Sequence, residues 1–162
     1  MVTSPTRPAR SVATSDAWLQ LDQQLCFALY SASLAMTKAY KPLLEPLGLT
    51  YPQYLALLLL WERDAQTVGE LGDRLFLDSG TLTPLLKRME AAGWVVRERA
   101  ADDERRVIVS LTPAGRDLRR RARAVPRQLA QATGCSAEEL VDLTARLQQL
   151  RGRLQGIGTP DP

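Results

Sequence analysis

Two cysteines and four tyrosines carry the most reactive chemistry in this 162-residue chain, and no histidine accompanies them. Without an imidazole neither a Ser-His-Asp nor a Cys-His catalytic arrangement is available, because both need that base. Zinc sites built from Cys and His are excluded for the same reason. No cofactor, no metal and no enzymatic activity are expected. What is left is thiol chemistry, in which a cysteine thiolate meets an oxidant.

Cys26 sits in a segment where apolar residues recur at helical spacing. Leu21, Leu25, Leu29 and Ala32 form one stripe between Asp16 and about Tyr40, with Cys26 and Tyr30 beside it. Ser15 or Asp16 would cap this helix, and Pro42 and Pro46 would limit its end. Two readings of Cys26 stand side by side: a small buried hydrophobe, the usual fate of a free cysteine, or a reactive thiol. No Lys, Arg or His lies within one helical turn to lower its pKa. Tyr30, one turn on, shares its face. Tyr40 returns to nearly that face roughly 21 Å along the axis, at about 1.5 Å per residue. A straight helix therefore keeps Tyr40 from the Cys26 of its own chain, whereas an antiparallel partner helix could bring it there, with Tyr51 joining. Phenol hydroxyls donating to a sulfur favour thiolate over thiol. The spacing alone does not choose between the two readings.

The elements around these residues are more specific. Thr50 caps an apolar helix through LALLLLW, which is apolar almost all round and so belongs in the middle of the domain. Thr67 with Glu70 forms a capping box for a short helix, residues 68–75. A turn at Leu77-Asp78-Ser79, with Asp78 or Ser79 as the cap, leads into a helix over residues 80–92, ended by Gly93. Alternating segments at 94–99 and 105–111 flank a charged tip, residues 100–104, and read as a β-hairpin. Helix, turn, helix and hairpin in that order predict a winged helix-turn-helix, with one helix in a DNA major groove and the hairpin on the flanking backbone.

On the second helix Leu82, Leu85, Leu86 and Met89 take the core face. The outward face carries Gly80, Thr83, Pro84, Lys87 and Arg88, with Ser79 and Thr81 on its flanks: small and hydroxyl residues at the positive end of the helix, basic ones further along. Arg97, Arg99, Arg105 and Arg106 surround the hairpin, one of them expected in a minor groove. Asp103 is expected to hold the Arg105 guanidinium in an extended pose. The later run Arg116, Arg119, Arg120, Arg121, Arg123 and Arg127 reads as a solvated helix face that adds long-range attraction.

Thr112-Pro113 starts that Arg-rich helix, kinked or ended at Pro126. Ser136 and Glu139 form another capping box, opening a last amphipathic helix to about Leu154. The whole is thus mainly α with a small β-hairpin wing. The expected layout is a mobile tail (1–15), one domain (16–155) and a frayed end (156–162). The winged unit spans about 52–115, and helices at about 16–45 and 113–155 pair two chains. A two-fold homodimer would set two reading heads on a palindromic duplex. A net charge of +3 and 45% apolar residues suit such a globular DNA-binding protein. No apolar run is long enough for a membrane span or a signal peptide, so a cytoplasmic protein is expected.

Four segments, LDQQLCFALY, LTYPQYLALLLLWE, LFLDSGTLTPLLKRME and DDERRVIVSLTPAG, resemble the multiple-antibiotic-resistance (MarR) family of winged-helix repressors. Within it they are similar to the organic hydroperoxide resistance (OhrR) group. The resemblance covers residues 19 to about 154, and the long N-terminal tail departs from it. It implies a dimeric repressor whose reactive cysteine is Cys26, hydrogen-bonded by Tyr40 and Tyr51 of the other subunit, with Tyr30 nearby. An organic hydroperoxide would oxidise Cys26 to a sulfenic acid. Cys135 falls where some members carry a resolving cysteine, which implies the two-cysteine type, an intersubunit disulfide and release of operator DNA. Two alternatives differ in class: a repressor of the same fold that senses a small aromatic ligand at the dimer interface, with Cys26 incidental, and a thiol peroxidase. The second lacks the cation that such a sulfur needs.

Overall fold

The computed structural model describes residues 18–156, which leaves the expected caps Ser15 and Asp16 and both expected tails outside the described residues, except Gly156, which ends the last helix. The chain divides into two compact units, residues 1–38 and 39–162. In the first, a 3-10 turn at Leu21–Gln23 precedes α1, Leu25–Leu44. The helix thus starts later than the apolar stripe suggests, because Leu21 belongs to the turn. Within this unit the stripe is not a core: Leu21, Leu25 and Ala32 are exposed and Leu29 is half-buried, while Tyr30, Leu34 and Met36 beside it are exposed as well. Pro42 does not limit the helix but lies inside it. Near a helix end a proline removes one backbone bond. Burying Leu44, at 1% exposure, contributes about 1.5–3 kcal/mol and offsets that loss.

The second unit is built on α2, Tyr51–Glu62, which opens at a Thr50–Gln53 capping box. Tyr54, Ala56, Leu57, Leu59 and Leu60 are buried, as expected of a helix apolar all round. α3, Val68–Leu75, follows the Thr67–Glu70 capping box. α4, Ser79–Ala91, is capped by Asp78. Leu71 of α3 packs in one cluster with Leu82, Leu85, Leu86 and Met89 of α4 and Leu57 and Leu60 of α2.

Three antiparallel strands complete the unit: β1 (Gln66–Thr67), β2 (Val95–Arg99) and β3 (Val107–Leu111), in the order β1-β3-β2. The hairpin was legible, but β1 was not, since two residues leave no alternation to read. Gln66 pairs with Val109, and its buried amide donates to the Leu59 carbonyl at 2.8 Å. The strands are shorter than their alternation suggests, which moves Arg105 and Arg106 from β3 into the tip.

Beyond the sheet come α5 (Pro113–Ala122), α6 (Val125–Thr133) and α7 (Ala137–Gly156). The break falls at Arg123–Ala124, and Pro126 sits in the first turn of α6, where a proline removes no bond. Gly115 makes the closest approach. A Cβ there would overlap the Trp94 carbonyl oxygen, so only glycine lets α5 meet the start of the hairpin. Trp61 Nε1 donates to the Gly115 carbonyl at 3.0 Å. The second expected capping box holds α7: the Ser136 amide donates to Glu139 at 2.7 Å, and the Glu139 amide to Ser136 Oγ at 3.2 Å. No residue of α7 is buried, and Val141, Leu143, Leu147 and Leu154 are exposed. Among the described residues no single helix is long and apolar enough to cross a membrane.

Candidate nucleic-acid interface and thiol site

The outward face of α4 begins at its cap. Asp78 accepts the Thr81 amide at 2.9 Å and the Thr81 hydroxyl at 3.2 Å. The Thr81 amide holds the Asp78 carboxyl below its ordinary value. Ser79, Gly80 and Thr81 are exposed there, Lys87 and Arg88 are exposed further along, and Thr83 is half-buried. Arg88 Nε donates to the Pro84 carbonyl at 3.3 Å. The helix therefore offers hydroxyls at its positive N-terminal end and two cations further along, a set suited to phosphate oxygens and base edges.

A brace fixes the hairpin to this helix. Arg97 donates to Glu90 from Nε at 3.0 Å, from its guanidinium tip at 2.7 Å and from its backbone amide at 3.0 Å. The Arg97 guanidinium holds the Glu90 carboxyl below its usual range. Arg97 is thus committed to the wing's attachment and is not a free cation for DNA. A second anchor is Asp64, which accepts the amides of Leu111 and Ala65, both at 2.8 Å, and the Arg116 guanidinium at 2.7 Å. Burial pushes Asp64 up, but those amides and Arg116 outweigh it and the carboxyl stays low. Neither anchor was read from the sequence, because a carboxylate and its donors on different elements leave no periodic signal.

At the tip, Asp103 accepts the backbone amide of Arg105 at 3.0 Å. It does not hold the Arg105 guanidinium, as the sequence reading had it. A two-residue spacing suits a carboxylate closing a turn onto the chain itself. Arg106 pairs with Asp102 at 3.2 Å and Arg99 approaches Glu104 at 3.9 Å. Among the described residues the Arg105 guanidinium makes no ion pair. A cleft of about 350 Å³ lies between wing and helices, lined by Thr67, Gly69, Thr83, Arg97, Arg105 and Arg106 among others.

Cys26 is exposed on α1, and Tyr30 nearby is 62% exposed. Cys26 is therefore not the buried filler of the first reading within its own unit. In the second unit Tyr40 and Tyr51 come together: their ring centroids are 4.6 Å apart, and Tyr54 stands 5.7 Å from Tyr40. Burial, then the neighbouring Tyr51 and Tyr54, pushes Tyr40 up to about 12, and burial raises Tyr51 as well. Both phenols keep their protons at neutral pH and remain hydrogen-bond donors. Tyr54 was missed as a member of this cluster because it lies in the apolar run of α2. Cys135 is half-buried between α6 and α7, its Sγ 3.8 Å from the Thr133 carbonyl.

The Tyr40 shift has a testable sign. Its pKa rises from 10.0 to about 12 in the fold, so the stability it contributes is complete below pH 10.0 and lost as pH rises through about 12. Urea midpoints measured across that alkaline window should fall less for Tyr40→Phe than for the wild type. Equal falls would show that the phenol titrates normally.

A helix-turn-helix with a hairpin braced to its second helix defines a winged-helix DNA-binding regulator. Residues 38–121 match the family model described as transcriptional regulator SarA/Rot. The chain is 51% identical over 132 residues to the organic hydroperoxide resistance transcriptional regulator of Bacillus subtilis, covering 82% of this chain and 90% of that one. Among solved structures it is similar to reduced AbfR bound to DNA, at 35% identity and a TM-score of 0.73, covering 89% of this chain and 99% of the other. AbfR is a protein of Staphylococcus epidermidis. Its disulfide-formed state matches at 38% identity and a TM-score of 0.58, over 83% of this chain and 95% of that one. The chain belongs to the MarR-type winged-helix transcriptional regulators, in their organic hydroperoxide resistance group. It is a DNA-binding regulator and not an enzyme.

Proposed function

We propose that this regulator is a cytoplasmic repressor that binds palindromic operator DNA as a homodimer and releases it when an organic hydroperoxide oxidises Cys26. The observation that carries the reading is an exposed Cys26 in a chain 51% identical to a hydroperoxide resistance regulator. The exposed apolar residues of α1 and those of α7 each supply apolar area for a second copy, which a winged unit needs to read two half-sites.

The chemistry runs in two steps. The Cys26 thiolate attacks one peroxide oxygen, the O–O bond breaks, and the alkoxide leaves and takes a proton to become an alcohol. Cys26 is then a sulfenic acid, oxidised by two electrons. The Cys135 thiol of the partner attacks that sulfur, an S–S bond forms and water leaves. Tyr40 and Tyr51, protonated donors at neutral pH, hydrogen-bond the reduced sulfur across the dimer and stabilise the thiolate. Pulling Cys135 toward Cys26 shifts the paired helices, and the recognition helices leave their spacing of about one DNA turn, roughly 34 Å.

On DNA, Ser79, Thr81, Thr83, Lys87 and Arg88 face the major groove. Arg105 reaches into the minor groove beside it, with Asp103 shaping the tip and Arg106 at its base. Existing AbfR structures in reduced, DNA-bound and in disulfide-formed states support a switch of this kind. A titration of operator DNA with and without cumene hydroperoxide tests it, read together with a non-reducing gel. Peroxide should weaken wild-type binding and give a covalent dimer, and Cys135→Ser should lose that dimer. A peroxide-treated wild type that stays monomeric on the gel rejects the Cys135 assignment.

A further inference from the structure

Phe76 is a bulky residue where a helix end favours glycine. It caps α3 in the left-handed conformation, φ 56° and ψ 39°, a region that large side chains rarely enter. Its amide donates to the Gly72 carbonyl, as does the amide of Leu77 at 3.0 Å. A glycine would make the same cap with less strain. Nor does the ring serve the core, since Phe76 is 56% exposed.

What the ring meets is Arg151. The guanidinium carbon lies 4.6 Å from the ring centroid, within the range of a cation–π contact. Arg151 belongs to α7, none of whose residues is buried. Elsewhere on that helix Arg146 pairs with Asp142 at 2.9 Å, whereas Arg151 turns to the helix-turn-helix. Two residues beyond Phe76, Asp78 caps α4. The ring therefore sits at the turn that leads directly into the recognition helix.

We propose that Phe76 and Arg151 form the contact that couples α7 to the reading head: Arg151 is a positioning residue that sets the pose of α4 through the turn. The inference rests on the reading above that α7 pairs two chains. It identifies where movement of that pair reaches the DNA-binding surface.

A double-mutant cycle on the full reduced chain tests it, with operator affinity and melting midpoint measured together. Phe76→Gly should keep or raise the melting midpoint, because it relieves the left-handed backbone, yet weaken DNA binding about fivefold. Arg151→Met should weaken binding by a similar factor, the double variant no more than either single, and Phe76→Tyr should bind as the wild type does. Wild-type affinity in Phe76→Gly overturns the proposal. So does multiplication of the two losses in the double variant, or an affinity loss accompanied by a lower melting midpoint. Sedimentation of the wild type separates the two readings: a monomer on DNA rejects the pairing role of α7, whereas the cycle speaks only to the contact.

Discussion

Cys26→Ser is expected to bind operator DNA as the wild type does and to keep that affinity in organic hydroperoxide, while the wild type loses more than about a hundredfold. A serine hydroxyl preserves the size of the side chain and its place on the exposed face of α1. It has no thiolate to attack the O–O bond, so neither the sulfenic acid nor the disulfide forms. A difference of about 3 kcal/mol between reduced and oxidised states is enough for a change of that size. Because α4 and the wing are untouched, the reduced-state affinity and its steep fall with salt should be preserved. If peroxide still releases DNA from Cys26→Ser, another group senses the oxidant.

Gly115→Ala should weaken the fold rather than the response. The new Cβ would overlap the Trp94 carbonyl oxygen and stand 3.0 Å from its carbonyl carbon. Neither is the yielding end of a side chain. The same backbone is held from three directions: the Gly115 amide donates to Thr112 Oγ1 at 3.0 Å, Trp61 donates to its carbonyl at 3.0 Å, and the Thr112 amide donates to the Trp94 carbonyl at 3.0 Å. Relief requires α5 to withdraw from the hairpin and all three bonds to lengthen. The expected loss exceeds about 3 kcal/mol, a fall in melting temperature on the order of 10 °C. A melting curve that overlays the wild type would show that this crossing is softer than its geometry indicates.

How much was legible follows from the range of each interaction. The caps at Thr50, Thr67, Asp78, Thr112 and Ser136 depend on residues three positions apart, so they stand in the sequence, and with them most helix starts. The core face of α4 and the hairpin were equally visible as periods. Pro42 misled because a local rule met the distant burial of Leu44. The Glu90–Arg97 brace, the Asp64 anchor and the Phe76–Arg151 contact join separate elements and carry no spacing to recognise. Among the candidate site residues of α4, Ser79, Thr81, Lys87 and Arg88 are exposed and Thr83 is half-buried. Asp103 serves the backbone of Arg105 instead of its guanidinium, and this was not legible because both choices share one spacing. Cys135 drew its meaning only from the family resemblance.

The three-point grip of Arg97 on Glu90 has a consequence for the choice of operator. A hairpin and helix fastened to each other cannot adjust separately to a groove that is too wide or too narrow. Accommodation then passes to the nucleic acid, whose stiffness depends on base steps the protein never contacts. A flexible pyrimidine–purine step between the half-sites would accommodate such an unyielding reader more easily than a rigid A-tract. With two half-sites read as proposed, selectivity should extend to bases beyond the reach of any side chain.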